Sequence, residues 1–473
     1  MSKMNLGSYS RFFRSPLTWI FLAFFLLASW PFVGFPLTDG DVSHWVPWAQ
    51  DIALHGNPLS AKSDQSHGPL LAWGTAFLIR VFSLNYYVLN LFNLLCGLGC
   101  VGLVYAVARK MRDGQSLMFP IVAGVFAATN FMLVYLSRTP MYDLPAAFGF
   151  TLFCYAYAVY LKRMQPKWFA LALLGLGLGS LSRFIIVIGL SCFFILIMQF
   201  LNRPQPATAS RWALSSHLGW MRNTLRHGCF IFGTAFLLSL PWLWIQHGRH
   251  VGFLEFFIYD NFLRFLGDEK GVSRDYYGFL LVTFIGLIPT TPVLVAGLSK
   301  SMWQKWGRSP IAHVALAASL PCLLIFSFSG HTKLVRYIAY VFPSFLLLSG
   351  HIYTTCIEDP VYRKRMAYWY YGLLSVVGVL LAIYAVQFGQ EAQQSTLFVG
   401  AAIVFLLGLI GSALIFLVYG YKSFLQKPFL YVAACAVFYL FFFTVLALEY
   451  TRVPFLFQVR DMIDAALKGL PHG

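Results

Sequence analysis

Long apolar runs separated by short polar segments dominate the chain from about residue 17 to residue 448. A helix needs about 20 mostly apolar residues to cross a bilayer, and this length defines candidate spans. Thirteen runs qualify, two of them short: 17–36, 88–108, 118–136, 143–161, 167–181, 183–201, 228–246, 277–298, 310–328, 334–352, 367–387, 396–419 and 428–448. The pattern therefore predicts an all-α polytopic membrane protein with about thirteen transmembrane helices.

Composition agrees with this class, since the chain is 59% hydrophobic and only 11% charged. The first apolar run, from Pro16 to about Pro36, exceeds the roughly 7–15 residues of a signal-peptide core. We expect it to be a retained first span.

Basic residues collect in cytoplasmic loops, so their positions predict the topology. With a cytoplasmic N-terminus, the inner loops hold 21 of the 34 basic residues and three of the 17 acidic ones. The net charge of +17 is thus mainly a topology signal and does not indicate a nucleic-acid partner. The apolar segment 69–82 is too short to span, and we expect a helix on the outer leaflet. None of the eight cysteines lies in a long outer loop, so no disulfide framework is predicted.

The acidic residues concentrate outside, and the first outer loop, 37–87, carries Asp39 and Asp41. A loop of this length between two spans is usually functional. Trp45 and Trp48 follow at helical spacing, which predicts an amphipathic helix with its indoles in the headgroup region.

Three further outer segments carry charges at the ends of spans. They are "SRTPMYDLPAAFG" with Arg138 and Asp143, the loop 247–276 with Arg264, and "FSFSGHTKLVRYIAYVFP" with His331, Lys333, Arg336 and Tyr337. Each segment also has a purely structural interpretation: a helix cap, a structural Arg–Asp pair, or basic side chains that reach the membrane interface from a helix end.

Together these segments place carboxylates and cations on one side of the membrane. A carboxylate can act as general base on a hydroxyl, and arginine or lysine can bind a phosphate leaving group. The sequence contains no phosphate-binding glycine-rich loop, because "GLGLGS" at 175–180 lies inside a span and favours helix packing.

The order of these motifs resembles the polyprenyl-phosphate-sugar-dependent glycosyltransferases of the GT-C superfamily. The similar branch comprises the bacterial lipid A aminoarabinose transferases and the related protein O-mannosyltransferases. Their acidic motif "D-E-x-x-Y", with a glycine fifteen residues after its aspartate, corresponds to Asp41 and Gly56, with Val42 and Trp45 at the intervening positions.

The other motifs of the branch follow in the same order. "K-P-P-L" corresponds to "HGPL" with His67, and the second acidic site to "MYDLP" with Asp143. "H-N-x-x-R-F" corresponds to "DNFLRF" with Arg264, where Asp260 replaces a common histidine. The lysine–tyrosine motif corresponds to Lys333 and Tyr337 within "GHTKLVRYIAYVFP".

The resemblance implies a GT-C fold with juxtamembrane helices in the first periplasmic loop. It implies a transmembrane module over 1–448 and a short periplasmic tail over 449–473. The catalytic candidates are Asp41, Asp143 and Asp39. The candidates for binding the donor phosphate are Arg264, Lys333, Arg138, Tyr337, Arg336 and His67. No metal ligand and no cofactor are assigned, although a requirement for a divalent metal stays open.

The predicted function is transfer of a sugar from a polyprenyl (undecaprenyl) phosphate to a periplasmic acceptor, lipid A or lipopolysaccharide, with inversion. The expected partners are this donor, a lipid or glycolipid acceptor and membrane lipids. We expect the chain to be a monomer in the bacterial inner membrane. Its active site is expected on the periplasmic side. Two alternatives stay open: a protein O-mannosyltransferase, and a lipid or solute transporter that is not an enzyme.

Overall fold

The architecture is helical throughout the part of the chain that the structure describes. A computed structural model describes residues 15–29, 42–59, 67–112, 118–201, 214–249, 252, 255, 258, 278–287, 290–328, 335–358 and 361–362. The helices, in chain order, are α1 (Pro16–Ser29), α2 (Val42–His55), α3 (Leu70–Phe82), α4 (Tyr86–Met111), α5 (Met118–Ala128), α6 (Phe131–Ser137), α7 (Asp143–Arg163), α8 (Pro166–Ser180), α9 (Phe184–Leu201), α10 (Leu214–Arg249), α11 (Gly278–Gly286), α12 (Thr291–Gly297), α13 (Lys300–Trp306), α14 (Pro310–Phe328) and α15 (Phe342–Glu358). A 3₁₀ helix, Val335–Val341, leads directly into α15.

The prediction of a multi-pass membrane protein is confirmed. Within the described residues, five helices are long and apolar enough to cross a membrane, and α5 with α6 form a sixth if the bent pair is one span. The predicted spans 367–387, 396–419 and 428–448 and the tail 449–473 lie outside the described residues. The count of thirteen spans therefore stays a prediction.

Two predicted spans are not single straight helices. Residues 118–136 form α5 and α6, which meet at an angle of 53°. The Asn130 side chain accepts a hydrogen bond from the backbone N–H of Leu133, so it caps a new helix there. Residues 277–298 form α11 and α12, and Pro292, which lacks a backbone N–H, lies in the first turn of α12.

The centre of the described fold is the pair α7 and α8, which pack backbone against backbone. A methyl group on Gly149 would lie 2.3 Å from the backbone nitrogen of Gly179, and one on Gly175 would lie 2.5 Å from the backbone nitrogen of Phe153. Only glycine permits this approach, so the prediction that "GLGLGS" serves helix packing is confirmed. The close contact fixes the end of α8 beside the start of α7.

The first outer loop contains two helices, α2 and α3, that pack against each other. The expected headgroup position of the α2 indoles is wrong, because Trp45 and Trp48 are fully buried inside the protein. Trp48 stacks on Trp242 of α10, with ring centroids 5.1 Å apart. Arg80 of α3 donates hydrogen bonds to the carbonyl groups of Ile52 and Ala53 at 3.2 and 2.9 Å. These bonds satisfy carbonyl groups in the last turn of α2 and join the two helices.

Candidate active site

Asp143 is the first residue of α7, and its side chain is fully buried. Two arginines lie against its carboxylate. The Arg183 Nε atom is 3.3 Å from one carboxylate oxygen, and the Arg336 Nε atom is 3.3 Å from the other. The Arg183 Nη2 atom also reaches within 3.5 Å of the carboxylate. We call Asp143, Arg183 and Arg336 the arginine–aspartate cluster.

Three separate breaks between apolar helices bring this cluster together. Asp143 follows the connection after α6, Arg183 lies between α8 and α9, and Arg336 lies in the 3₁₀ helix before α15. Charged groups are costly at membrane depth unless they are paired or functional, so breaks at helix ends are where such residues are tolerated. The predicted topology places all three breaks on the outer side.

The cluster carries more positive than negative charge, since two guanidinium groups face one carboxylate. Both arginine side chains are largely buried, with 11% of Arg183 and 12% of Arg336 exposed. Guanidinium groups are planar donors whose geometry matches the oxygens of a phosphate. The two arginines of the cluster therefore present the donor groups that a phosphate-binding site needs.

Aromatic rings line the same cluster. The Arg183 guanidinium lies 6.0 Å from the Tyr142 ring centroid and 5.9 Å from that of Tyr337. The Arg336 guanidinium is also 5.9 Å from the Tyr337 ring. Such cation–π contacts hold the guanidinium planes in position. Tyr340 lies in the same 3₁₀ helix as Arg336 and Tyr337. Its buried hydroxyl has no hydrogen-bond partner among the described residues.

The segment before α3 covers the cluster from the side of the first outer loop. The backbone N–H groups of Gly68 and Leu70 donate to the carbonyl groups of Ser182 and Leu181 at 3.1 and 3.0 Å. The His67 ring stacks on Tyr142, with centroids 4.3 Å apart. These contacts tie the predicted phosphate-binding "HGPL" motif to the residues just before Asp143 and Arg183.

Replacement of Gly68 by alanine is expected to detach this segment. A methyl group there would lie 2.0 Å from the Leu181 carbonyl oxygen, and backbone atoms cannot move aside cheaply. We expect a lower thermal midpoint, measured on purified protein by size-exclusion chromatography after heating. Gly189→Ala in α9 is the matched control, because a methyl group there meets nothing within 4 Å. Equal behaviour of the two variants would contradict the contact.

Arg138 lies in the connection that leads to Asp143 and is only 5% exposed. Burial lowers the pKa of Arg138 to about 10, so the guanidinium is still charged at neutral pH. The side chain of Asn93 donates to the carbonyl groups of Thr139 and Met141 at 2.7 and 2.9 Å, which holds this connection. A structural Arg138–Asp143 ion pair was one interpretation of the sequence. In the structure, Asp143 instead pairs with Arg183 and Arg336, which lie in two other elements.

The structure brings four of the predicted site residues into one region: Asp143, Arg336, Tyr337 and His67. Asp39, Asp41, Arg264 and Lys333 lie outside the described residues. Arg183 was missed by the sequence reasoning. Its signal is a single basic residue between two apolar runs with no loop to carry it, which is unusual at a membrane edge.

No group of three or more potential metal-ligating side chains occurs in the described part of the chain. The described neighbours of Asp143 are cations and aromatic rings, which are not the oxygen ligands that a hard divalent cation prefers.

Comparison with known proteins connects this site to a class of enzymes. The family described as dolichyl-phosphate-mannose-protein mannosyltransferase matches residues 66–220, which include His67, Asp143 and Arg183. An undecaprenyl phosphate-alpha-4-amino-4-deoxy-L-arabinose arabinosyl transferase of Pseudomonas paraeruginosa is 25% identical over 321 residues. That match covers 67% of this chain and 54% of the relative, so the chain spans about half the length of the curated relatives it matches.

A solved structure settles the fold. ArnT from Cupriavidus metallidurans, crystallised bound to undecaprenyl phosphate, superimposes with a TM-score of 0.67 at 17% identity, over 93% of this chain and 78% of that one. The chain shares the fold of this ArnT. The apo crystal structure of the same protein gives a TM-score of 0.64 over 94% of the chain. The resemblance to the aminoarabinose-transferase branch, predicted from the outer-loop motifs, is confirmed by these similar proteins.

Proposed function

We propose that this GT-C protein is a glycosyltransferase that moves a sugar from an undecaprenyl phosphate donor to an acceptor at the outer face of the inner membrane. The arginine–aspartate cluster carries this proposal, because it places two buried guanidinium groups side by side where helix ends converge. The names of the similar proteins support the donor, since they describe undecaprenyl phosphate-linked sugar transfer and a structure bound to undecaprenyl phosphate.

The donor would enter sideways from the bilayer with its phosphate toward the cluster. Arg183 and Arg336 would bind the phosphate, joined by Arg264 and Lys333 from the neighbouring outer segments. Arg138, Tyr337 and His67 would complete the surroundings of the phosphate. Guanidinium groups bind phosphate oxygens in pairs and stabilise the charge that develops as the leaving group departs.

The acceptor hydroxyl would attack the anomeric carbon from the face opposite the phosphate. The new bond joins the acceptor oxygen to that carbon, and the bond from the carbon to the phosphate oxygen breaks. Undecaprenyl phosphate leaves with the bonding electrons, and Asp41 accepts the hydroxyl proton, with Asp39 beside it. A single displacement of this kind inverts the anomeric configuration.

Asp143 takes a different role in this proposal from the catalytic one predicted from its motif. Both of its oxygens are within ion-pair distance of arginines, and the side chain is fully buried. A carboxylate held in this way orients its partners and cannot easily reach a hydroxyl proton. We therefore assign Asp143 as a positioning residue for the two phosphate-binding arginines.

The acceptor is proposed to be lipid A or lipopolysaccharide, in line with the aminoarabinose-transferase resemblance. A second candidate is a serine or threonine hydroxyl of a protein, because the matched family is described as protein mannosyltransferases. The donor chemistry is the same in both cases, so only the acceptor distinguishes them.

The decisive experiment uses the purified full chain in lipid nanodiscs with undecaprenyl phosphate-aminoarabinose. One arm contains lipid A and the other a serine- and threonine-rich peptide. Mass spectrometry should show lipid A heavier by one sugar residue, with release of undecaprenyl phosphate. Sugar on the peptide alone would support the second candidate. Movement of intact donor across the bilayer of proteoliposomes that contain the purified chain, without bond cleavage, would instead support the transporter alternative.

The proposed location in the inner membrane requires the predicted topology. A reporter enzyme fused after Arg365 is expected to read cytoplasmic, and one fused after Pro454 periplasmic, because basic residues favour the cytoplasmic side. The opposite pair of signals would contradict the count of thirteen spans and the periplasmic position of the site.

A further inference from the structure

A second charged region lies at the opposite end of α7 from the arginine–aspartate cluster. The α7 helix contains 21 residues, and at 1.5 Å per residue its ends are roughly 30 Å apart. Trp168 lies in the first turn of α8, shortly after α7 ends at Arg163. By the predicted topology this end faces the cytoplasm, so it is separate from the proposed active site.

Two lysines from different helices share the Trp168 indole. The Lys110 ammonium, at the end of α4, is 5.9 Å from the ring centroid, and the Lys167 ammonium is 6.0 Å from it. Neither lysine makes an ion pair with any carboxylate in the described residues. Two like charges held on one ring repel each other unless an anion lies between or beside them.

The local backbone makes the position of Lys167 more unusual. Lys167 lies in the first turn of α8, where the helix dipole disfavours a cation and favours an anion. The N-cap residue Gln165 makes no side-chain hydrogen bond to the helix, so it does not cap the exposed N–H groups of this turn. The helix dipole stabilises a cation at the C-terminus of α4 and so explains the position of Lys110. It does not explain a cation at the position of Lys167.

The indole itself provides a directed donor. The Trp168 Nε1 atom is buried and has no hydrogen-bond partner among the described residues. A buried N–H group without a partner is unfavourable, so such groups commonly face a ligand or water. Leu174 is 55% exposed and lies two helical turns after Lys167 on the same face of α8, so an apolar side chain is exposed beside the cations.

We propose that Lys110, Lys167 and Trp168 form a binding site for the headgroup of an anionic phospholipid. The two ammonium groups bind the phosphate, the indole N–H donates to a phosphate or ester oxygen, and the acyl chains lie along α8. Basic pockets between helices on the cytoplasmic side are suited to such headgroups, since each nearby lysine adds to the attraction of anionic lipid. The apolar surface beside the cations favours a lipid over free phosphate.

Native mass spectrometry of the delipidated full chain in detergent tests this site, with cardiolipin as the probe. We expect one cardiolipin to be retained by the unaltered protein and its affinity to fall about tenfold in Lys110→Gln/Lys167→Gln. Arg109→Gln/Arg163→Gln removes two exposed charges from the ends of α4 and α7, close in the chain to Lys110 and Lys167, and is the matched control. Trp168→Phe keeps an aromatic ring but removes the N–H group, and we expect a smaller loss.

Two further arms identify the source of the phosphate. Phosphatidylcholine should bind much more weakly than cardiolipin, and inorganic phosphate should not displace the bound lipid. Equal loss of binding in the lysine variant and the arginine control would show only general attraction to basic loops and would overturn the site. Unchanged binding in the lysine variant, or displacement by inorganic phosphate, would overturn it as well.

Discussion

Replacing Asp41 with asparagine is expected to lower the rate of sugar transfer by about 10²–10⁴-fold, the usual contribution of a positioned general base. Asparagine differs from aspartate only by an amide group in place of a carboxylate oxygen, so the two side chains have nearly the same size. The substitution therefore removes the charge and basicity with almost no steric change. Because donor binding depends on the arginines, we expect kcat to fall while KM for the donor changes little.

Asp39→Asn is the matched control for this prediction, since it removes the same charge two residues away. We expect a much smaller loss, because the spacing to Gly56 aligns Asp41, and not Asp39, with the acidic motif of the GT-C branch. The measurement is steady-state transfer to lipid A in nanodiscs with both variants at equal protein concentration. Full activity in Asp41→Asn, or an equal loss in both variants, would overturn the assignment of the base.

Replacing Asp143 with asparagine is expected to destabilise the protein as well as reduce its activity. The change leaves Arg183 and Arg336 beside each other, largely buried, with no carboxylate between them. Removing one partner of a buried ion pair typically costs about 3–5 kcal/mol. We expect a clearly lower thermal midpoint, measured by loss of monodisperse protein on heating, together with a higher KM for the donor.

Two further variants test this explanation. Glu255→Gln is the control, because it removes an exposed carboxylate, and exposed charges contribute less than about 1 kcal/mol. Asp143→Asn/Arg183→Gln removes one charge of each sign, and we expect it to recover part of the lost stability but not the activity. A stable Asp143→Asn protein with reduced kcat alone would favour the catalytic role predicted from the motif.

Asp41 and Asp143 show how much a local sequence pattern can predict about a site residue. Both stand in motifs that resemble acidic sites of one enzyme branch, and both lie at predicted outer ends of apolar runs. The pattern could not separate a base from a buried counter-ion, because the difference depends on which cations lie nearby. Arg183 is 40 residues from Asp143 in the chain, and Arg336 is further still.

The α2 indoles show the same limit for packing. Spacing correctly indicated that Trp45, Trp48 and Ile52 share one face of a helix, and the structure has that helix. It did not indicate what the face contacts, and the expected partner was the lipid headgroup region. The actual partners are α3 and Trp242 of α10, which lies far along the chain. Amphipathic spacing is the same for a face against lipid and a face against protein.

The sequence by itself determined the helical membrane class, most span positions in the described region and the segments that carry the charged site residues. It could do so because a bilayer imposes a fixed apolar length on every span and excludes unpaired charge, and both constraints are local in sequence. Only the tertiary structure decided that α5 and α6 are bent, that His67 lies on Tyr142, and that Arg183 completes the cluster. These features depend on contacts between distant helices, whose close packing is set by shape and pairing in three dimensions and not by the period of any one segment.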